Sequence, residues 1–351
     1  MIRYIRCIYF TETPLKGKFR FDDIFQIFPL YSKKAPYSPY AEHYPFFLEY
    51  TIDLEPNVFH ALDSDILEKL VFQKNLEREI IEVLTVLSNH RFFNNDKGNH
   101  WGVMSPPLKF EELEKEEREI YNNQYSSWCI NQYVYPGLFE ELIIGQFTNT
   151  EFPDIELIPH SKYFITDPVE NRNGIISFPD TIESCLFNYF SLERLSKKKI
   201  KAAIHLINNG IELFEKMPSV AFLCFVSSIE TMISIEMNDK DIEFCSSCKT
   251  LKKSKFACEK CGSPIWGIRK KFVEYLKKFV AGGVESQKKY KRIYDLRSNI
   301  AHNGQLLLSE IDSSSFEIDG RKNEWLKELE VQQIARISIV NWLSYKEKVN
   351  H

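Results

Sequence analysis

A chain of 351 residues that is 44% hydrophobic, with a formal net charge of −4 and an isoelectric point near 6.1, is long enough for two domains with sizeable cores. The balance excludes a wholly basic nucleic-acid coat. Charge interrupts the start, Met1-Ile-Arg3-Tyr-Ile-Arg6-Cys7, where a secretory segment would be apolar, and no later stretch holds roughly 18 uninterrupted apolar residues, so a cytoplasmic protein without a membrane span is expected.

Residues 1–191 are rich in aromatics and broken by Pro, Asn and Gly, and are expected to form a mixed, largely β domain with strands at Ile2–Phe10, Phe46–Leu54 and Ile155–Ile165. Within it, Ile66–Ser88 reads as a helix from the spacing of Leu67, Leu70, Val71, Leu76, Ile80, Ile81 and Leu84, with Asp63 or Ser64 as its cap. Glu111–Glu119 reads as a solvated helix face. Asn173-Gly174 reads as a hairpin turn and Ser177–Asp180 as a loop. His90, Asp96 and His100 share a turn-rich segment but lack a recognisable ligand spacing.

From about Leu192 the period changes from two to three and four, giving an overall α+β expectation with an all-helical domain over 192–351. Helices are expected at Lys197–Met217, Val220–Met237, Ile265–Val280, Ser286–His302 and Glu324–Glu347, each with an apolar face that must pack on the others as a bundle. The breaks are chemical: Pro218-Ser219 opens the second helix, and Ala281-Gly282-Gly283 separates the third from the fourth.

Cysteines divide into two classes. Cys7, Cys129, Cys185 and Cys224 are scattered in mostly apolar or aromatic surroundings, as reduced core thiols are. Cys245-x2-Cys248-x9-Cys258-x2-Cys261 forms two knuckles, each placing two thiolates close enough to chelate one ion, so an insert at 241–264 is expected to hold one structural Zn2+. Four thiolates leave no open coordination position for water or substrate, which argues against a catalytic ion. Gly262 follows the second knuckle, whereas Thr250 takes the matching place after the first.

Between Lys249 and Arg292 fourteen basic residues face three acidic ones, the dominant positive region of the chain. Lys252, Lys253, Lys255, Arg269, Lys270, Lys271, Lys288, Lys289 and Arg292 are its candidate nucleic-acid contacts. The same stretch leads into Tyr294-Asp-Leu-Arg297-Ser-Asn299-Ile-Ala-His302-Asn-Gly304. Cleavage of RNA by its own 2′-hydroxyl needs proton transfer and stabilised charge on a pentavalent phosphorus. An imidazole titrates near neutrality, making His302 the candidate general acid/base; a guanidinium offers a permanently charged fork to phosphate, making Arg297 the candidate stabiliser. Five helical residues turn through about 140°, so the two do not share one narrow stripe. Asn303-Gly304 supplies a helix stop.

The helix pair, polar insert and R-x4-H motif together resemble a HEPN domain, closest to the Apea-like branch, over roughly residues 195–347. Ala221–Glu230 is similar to that family's apolar second helix with its buried acid. Ser298 departs from the Asn, Asp or His that many HEPN chains place directly after the arginine. The resemblance implies a metal-independent endoribonuclease acting as a homodimer, with two Arg/His pairs facing each other and RNA, tRNA included, as substrate. Glu230, Tyr294 and Asn299 would be supporting residues. It also implies prokaryotic antiviral defence by abortive infection, with the N-terminal domain sensing a phage-derived trigger or restraining the nuclease. The contrasting reading is a catalytically silent HEPN and zinc module that binds RNA or a protein partner.

Overall fold

Alternating side chains in the first part of the chain build a sheet whose two faces are both covered. The computed structural model describes residues 2–30, 44–53, 64–94, 100–101, 128–129, 144–163, 174–237, 248, 250, 258–262, 267–307, 310 and 318–347. These divide into two units, Met1–Glu183 and Ser184–His351. The architecture is α+β, with an antiparallel sheet in the first unit and helices throughout the second.

In the first unit β1 (Ile2–Thr11), β2 (Phe19–Phe21), β3 (Phe25–Pro29), β4 (Tyr44–Asp53) and β5 (Phe92–Phe93) form one sheet in the order β2-β3-β4-β1-β5. On one face Ile8, Phe10, Phe28, Leu30 and Phe47 make an apolar cluster. Beside it Glu49 lies opposite both Arg6 and Gln26. This buried carboxylate accepts hydrogen bonds from Arg6 Nε at 2.7 Å, Thr148 N at 2.8 Å and Thr148 Oγ1 at 2.7 Å, the dense donor set that burying a charge demands. The other face holds Tyr9 and Tyr50, whose hydroxyls reach Glu77 of α1 (Ser64–Ser88).

Two sequence expectations change here. Of the strand expected at Ile155–Ile165, two of the described residues are a strand, β8 (Leu157–Ile158), and Pro159 then leads into a single helical turn, α2 (His160–Tyr163); Phe164 and Ile165 lie outside the described residues. The expected loop at Ser177–Asp180 contains β9 (Phe178–Pro179), which pairs parallel with β8. A two-residue pair, β6 (His100–Trp101) with β7 (Trp128–Cys129), completes the described strands. The acidic run Glu111–Glu119, Asp96 and Asn173 lie outside the described residues.

Division of the chain falls inside α3 (Ile182–Phe190), ahead of the boundary expected at 192. The reason is packing: Cys185 Sγ lies 3.2 Å from Ser344 Oγ, and Asn188 Nδ2 donates to Leu343 O at 2.9 Å, so most of this helix belongs with the bundle. The bundle continues with α4 (Arg194–Leu213), α5 (Pro218–Glu236), α6 (Ile268–Phe279), α7 (Val284–Asn303) and α8 (Ile318–Glu347). α5 is its spine: Ala221, Phe222, Phe225, Val226, Ile229, Met232 and Ile233 are all buried. Among the described helices α5 alone is long and apolar enough to cross a membrane by length and composition, and here it packs against α4, α6, α7 and α8 as a core helix. Gly210 of α4 permits the tight crossing, since a Cβ there would stand 2.5 Å from the Phe225 ring.

Candidate functional site

Tyr290, Ile293 and Ile300 are the buried residues of α7, and Arg297 falls on the same 3-4-3 stripe. An arginine at an inward position needs a partner, and α5 supplies it. Arg297 Nη2 lies 3.1 Å from Glu230 Oε2, the two side chains 22% and 19% exposed. Arg297 Nε and Glu230 Oε1 are both shielded from solvent and make no hydrogen bond of good geometry among the described residues; the same holds for Ser228 Oγ, two residues before Glu230 on α5. The guanidinium is thus anchored by one edge.

His302 stands exposed on the last turn of α7. Its Nε2 lies 3.4 Å from Arg297 Nη1, a long contact in which the arginine can only donate, so a hydrogen bond between them needs Nε2 as the acceptor. The length of the arginine side chain closes the 140° that separates the two backbone positions. Gly304, with φ of 64°, takes the left-handed conformation that ends the helix directly beyond His302, and its N–H donates to Asn299 O.

The supporting residues separate. The Tyr294 ring centroid is 5.9 Å from Arg297 Cζ and 5.4 Å from the Phe272 ring. Burial raises the Tyr294 phenol above its ordinary value and the Glu230 carboxylate raises it further, so the hydroxyl stays protonated. Glu230 and Tyr294 therefore both attend Arg297. Asn299 instead serves the helix end: its Oδ1 accepts from Asn303 Nδ2 at 3.3 Å and its carbonyl from Gly304 and Gln305.

Three of the nine expected nucleic-acid contacts are engaged by acids. Arg269 pairs with Asp295, Lys288 with Glu285 at 2.7 Å, and Lys289 with Glu330. Arg292 is exposed on α7, as is Lys270 on α6, while Lys271 is partly buried. Lys252, Lys253 and Lys255 lie outside the described residues.

Three of the four clustered cysteines are described, Cys245 lying outside. Cys248, Cys258 and Cys261 bring their Sγ atoms within 4.8 Å of one another, close enough to bind a metal ion. The Cys248–Cys258 separation of 3.5 Å is far beyond a disulfide bond and close to the edge of about 3.8 Å that a tetrahedron with 2.3 Å metal–sulfur bonds requires. N–H groups of Cys261 and Lys260, and then the Thr250 hydroxyl, lower the Cys258 thiol to about 6, so a ligand-ready thiolate exists at neutral pH. Thr250 Oγ1 also lies 2.7 Å from Cys248 Sγ, which gives this departure from the knuckle pattern a role as hydrogen-bond support. Burial pushes the isolated Cys7 and Cys224 thiols the other way, above their ordinary value.

Sequence reasoning missed Ser219, whose hydroxyl accepts from Leu307 N just beyond His302, and Glu310, whose carboxylate accepts from Ser219 N; the Pro218-Ser219 break was read as a helix start alone. No family model, curated protein or solved structure matches this chain.

Proposed function

We propose that the chain is an endoribonuclease of the HEPN type that cuts RNA without a catalytic metal, using Arg297 and His302. The observation that carries this reading is the contact between a surface imidazole and a guanidinium whose other edge is tied to Glu230. In that chemistry Arg297 Nη1 turns from His302 Nε2 to the phosphate, and the freed Nε2 lone pair takes the proton of the ribose 2′-hydroxyl as its oxygen bonds to phosphorus. Arg297 neutralises charge on the non-bridging oxygens, and the P–O5′ bond breaks as O5′ is protonated, leaving a 2′,3′-cyclic phosphate.

The HEPN resemblance supplies the second acid, an Arg/His pair from another copy across a homodimer interface, and the setting of cytoplasmic antiviral defence by abortive infection. In it the first unit would sense a phage-derived trigger or restrain the nuclease. Zinc is the ion we assign to the thiolate cluster, with Cys245, Cys248, Cys258 and Cys261 as ligands. Its part is to close the 237–267 connection between α5 and α6, because a tetrathiolate site has no vacancy for substrate.

A direct test is incubation of mixed RNA, tRNA included, with purified wild type and His302→Ala in EDTA, with zinc content measured in both. Fragments ending in 2′,3′-cyclic phosphate from the wild type alone are the expected result. Equal fragmentation by both proteins, or intact RNA under activating conditions, overturns the assignment.

A further inference from the structure

One helix holds both ends of the Arg297–His302 segment. Glu230 grips Arg297 at 3.1 Å. Eleven residues earlier on α5, the buried Ser219 Oγ accepts from Leu307 N at 2.8 Å, five residues past His302. Eleven helical residues advance about 16 Å and rotate by three turns plus about 20°, so Ser219 and Glu230 stand on one stripe of α5. Glu310 Oε2 in turn accepts from Ser219 N at 3.1 Å, satisfying an amide that a helix start leaves without an intrahelical partner. Leu307 is buried, so its amide has no water to fall back on.

His302 itself is exposed, and its one hydrogen-bond partner among the described residues is Arg297. Little else fixes the imidazole. Its place depends on where α7 ends, which Gly304 and the Leu307–Ser219 bond determine.

We infer that Ser219, held by Glu310, is a positioning residue that sets where His302 stands relative to Arg297; its catalytic consequence rests on the nuclease reading above. α5 acts as a ruler, with Glu230 fixing the arginine and Ser219 fixing the chain beyond the histidine. Removing the Ser219 hydroxyl frees the Leu307 amide, lets the last turn of α7 fray, and carries His302 away from the guanidinium.

Two measurements on the full chain test this. In the first, the imidazole carbon–proton signals of His302 are compared without RNA in wild type, Ser219→Ala, Glu310→Ala and Arg297→Ala. The expected result is that the Ser219→Ala and Glu310→Ala signals move onto the position seen in Arg297→Ala; a His302 signal unchanged from wild type in Ser219→Ala overturns the proposal. In the second, RNA cleavage is followed, and kcat is expected to fall about 10- to 100-fold in Ser219→Ala with KM within about twofold, as a displaced catalytic group requires. Glu310→Gln, which keeps an acceptor oxygen, restores kcat, and Ile200→Val, a core change on α4, leaves it unaltered. A rise in KM with kcat intact, or equal losses in Ile200→Val and Ser219→Ala, counts against positioning. If the wild type cuts no RNA, the nuclease reading fails while the imidazole comparison still decides whether Ser219 places His302.

Discussion

Glu230 and Arg297 meet at 3.1 Å across the contact of α5 with α7, and each keeps a second, solvent-shielded polar atom without a well-formed hydrogen bond among the described residues. Glu230→Ala leaves a partly buried cation without its counter-charge, so a stability loss of about 1–3 kcal/mol is expected. On the proposed nuclease chemistry, cleavage is expected to slow by about 100-fold, because a displacement near 1 Å of a charged catalytic group has that effect. Urea midpoints and single-turnover rates measure the two separately. The double variant Glu230→Ala with Arg297→Ala should be more stable than Glu230→Ala alone, and a wild-type rate in Glu230→Ala would remove the carboxylate from the site.

Gly210 and Phe225 lie where α4 crosses α5, with the ring atom Cε1 only 2.5 Å from the place a Cβ would occupy. Gly210→Ala therefore overpacks the crossing and is expected to cost about 1–3 kcal/mol despite the better helix propensity of alanine. Phe225→Leu in the same chain should recover part of the loss. Denaturant melts of the single and double variants give the comparison; an unchanged or raised midpoint in Gly210→Ala would mean the helices separate without strain.

Helical parts of this fold were legible because an amphipathic helix writes its period into the sequence. The expected Val220–Met237 and Ser286–His302 became Pro218–Glu236 and Val284–Asn303, and Asn303-Gly304 ended the latter as read. β2 and β3 were not legible. All five residues of β3 are buried because both faces of the sheet are covered, so alternation is erased. At the site, residue types and spacing singled out Arg297 and His302, and the resemblance of Ala221–Glu230 to the HEPN second helix singled out Glu230. What spacing left open was that Arg297 occupies the inward stripe and reaches outward to His302. Ser219 carried no signal, since a serine after a proline at a helix start is explained by the start itself.

Thiolate chemistry at the knuckle gives a pH prediction. N–H donors from Cys261 and Lys260, with the Thr250 hydroxyl, hold the Cys258 thiol at about 6 instead of the ordinary 9.0, so the anion is the dominant form at pH 7 and is lost as the pH falls through about 6. Retention of the proposed zinc, followed with a colorimetric chelator, is expected to be flat from pH 8 to 7 and to fall steeply below about 6. Thr250→Val removes one donor and should move the release curve to higher pH. Coincident curves for wild type and Thr250→Val would exclude the hydroxyl from tuning the cluster.

Glu77 offers a pH prediction of the same sign in the first unit. It is 0% exposed and accepts from Tyr9 and Tyr50 hydroxyls at 2.9 and 2.7 Å, from Gln73 at 3.1 Å and from Lys74 at 2.7 Å. Burial pushes its carboxyl up, but the Lys74 and Tyr50 donors outweigh burial and leave it below the ordinary 4.5. A depressed folded value means the carboxylate contributes stability that is fully present above about 4.5 and is lost as the pH drops through the folded value. Glu77→Gln replaces an acceptor oxygen by an NH2 group that meets other donors, so a loss of about 1–3 kcal/mol is expected at pH 7. The gap between the two proteins should narrow on acidification below pH 4.5, where the wild-type carboxyl takes up its proton. Urea midpoints from pH 3 to 7 decide it: a constant gap would show that Glu77 acts through shape and packing, with its charge contributing nothing.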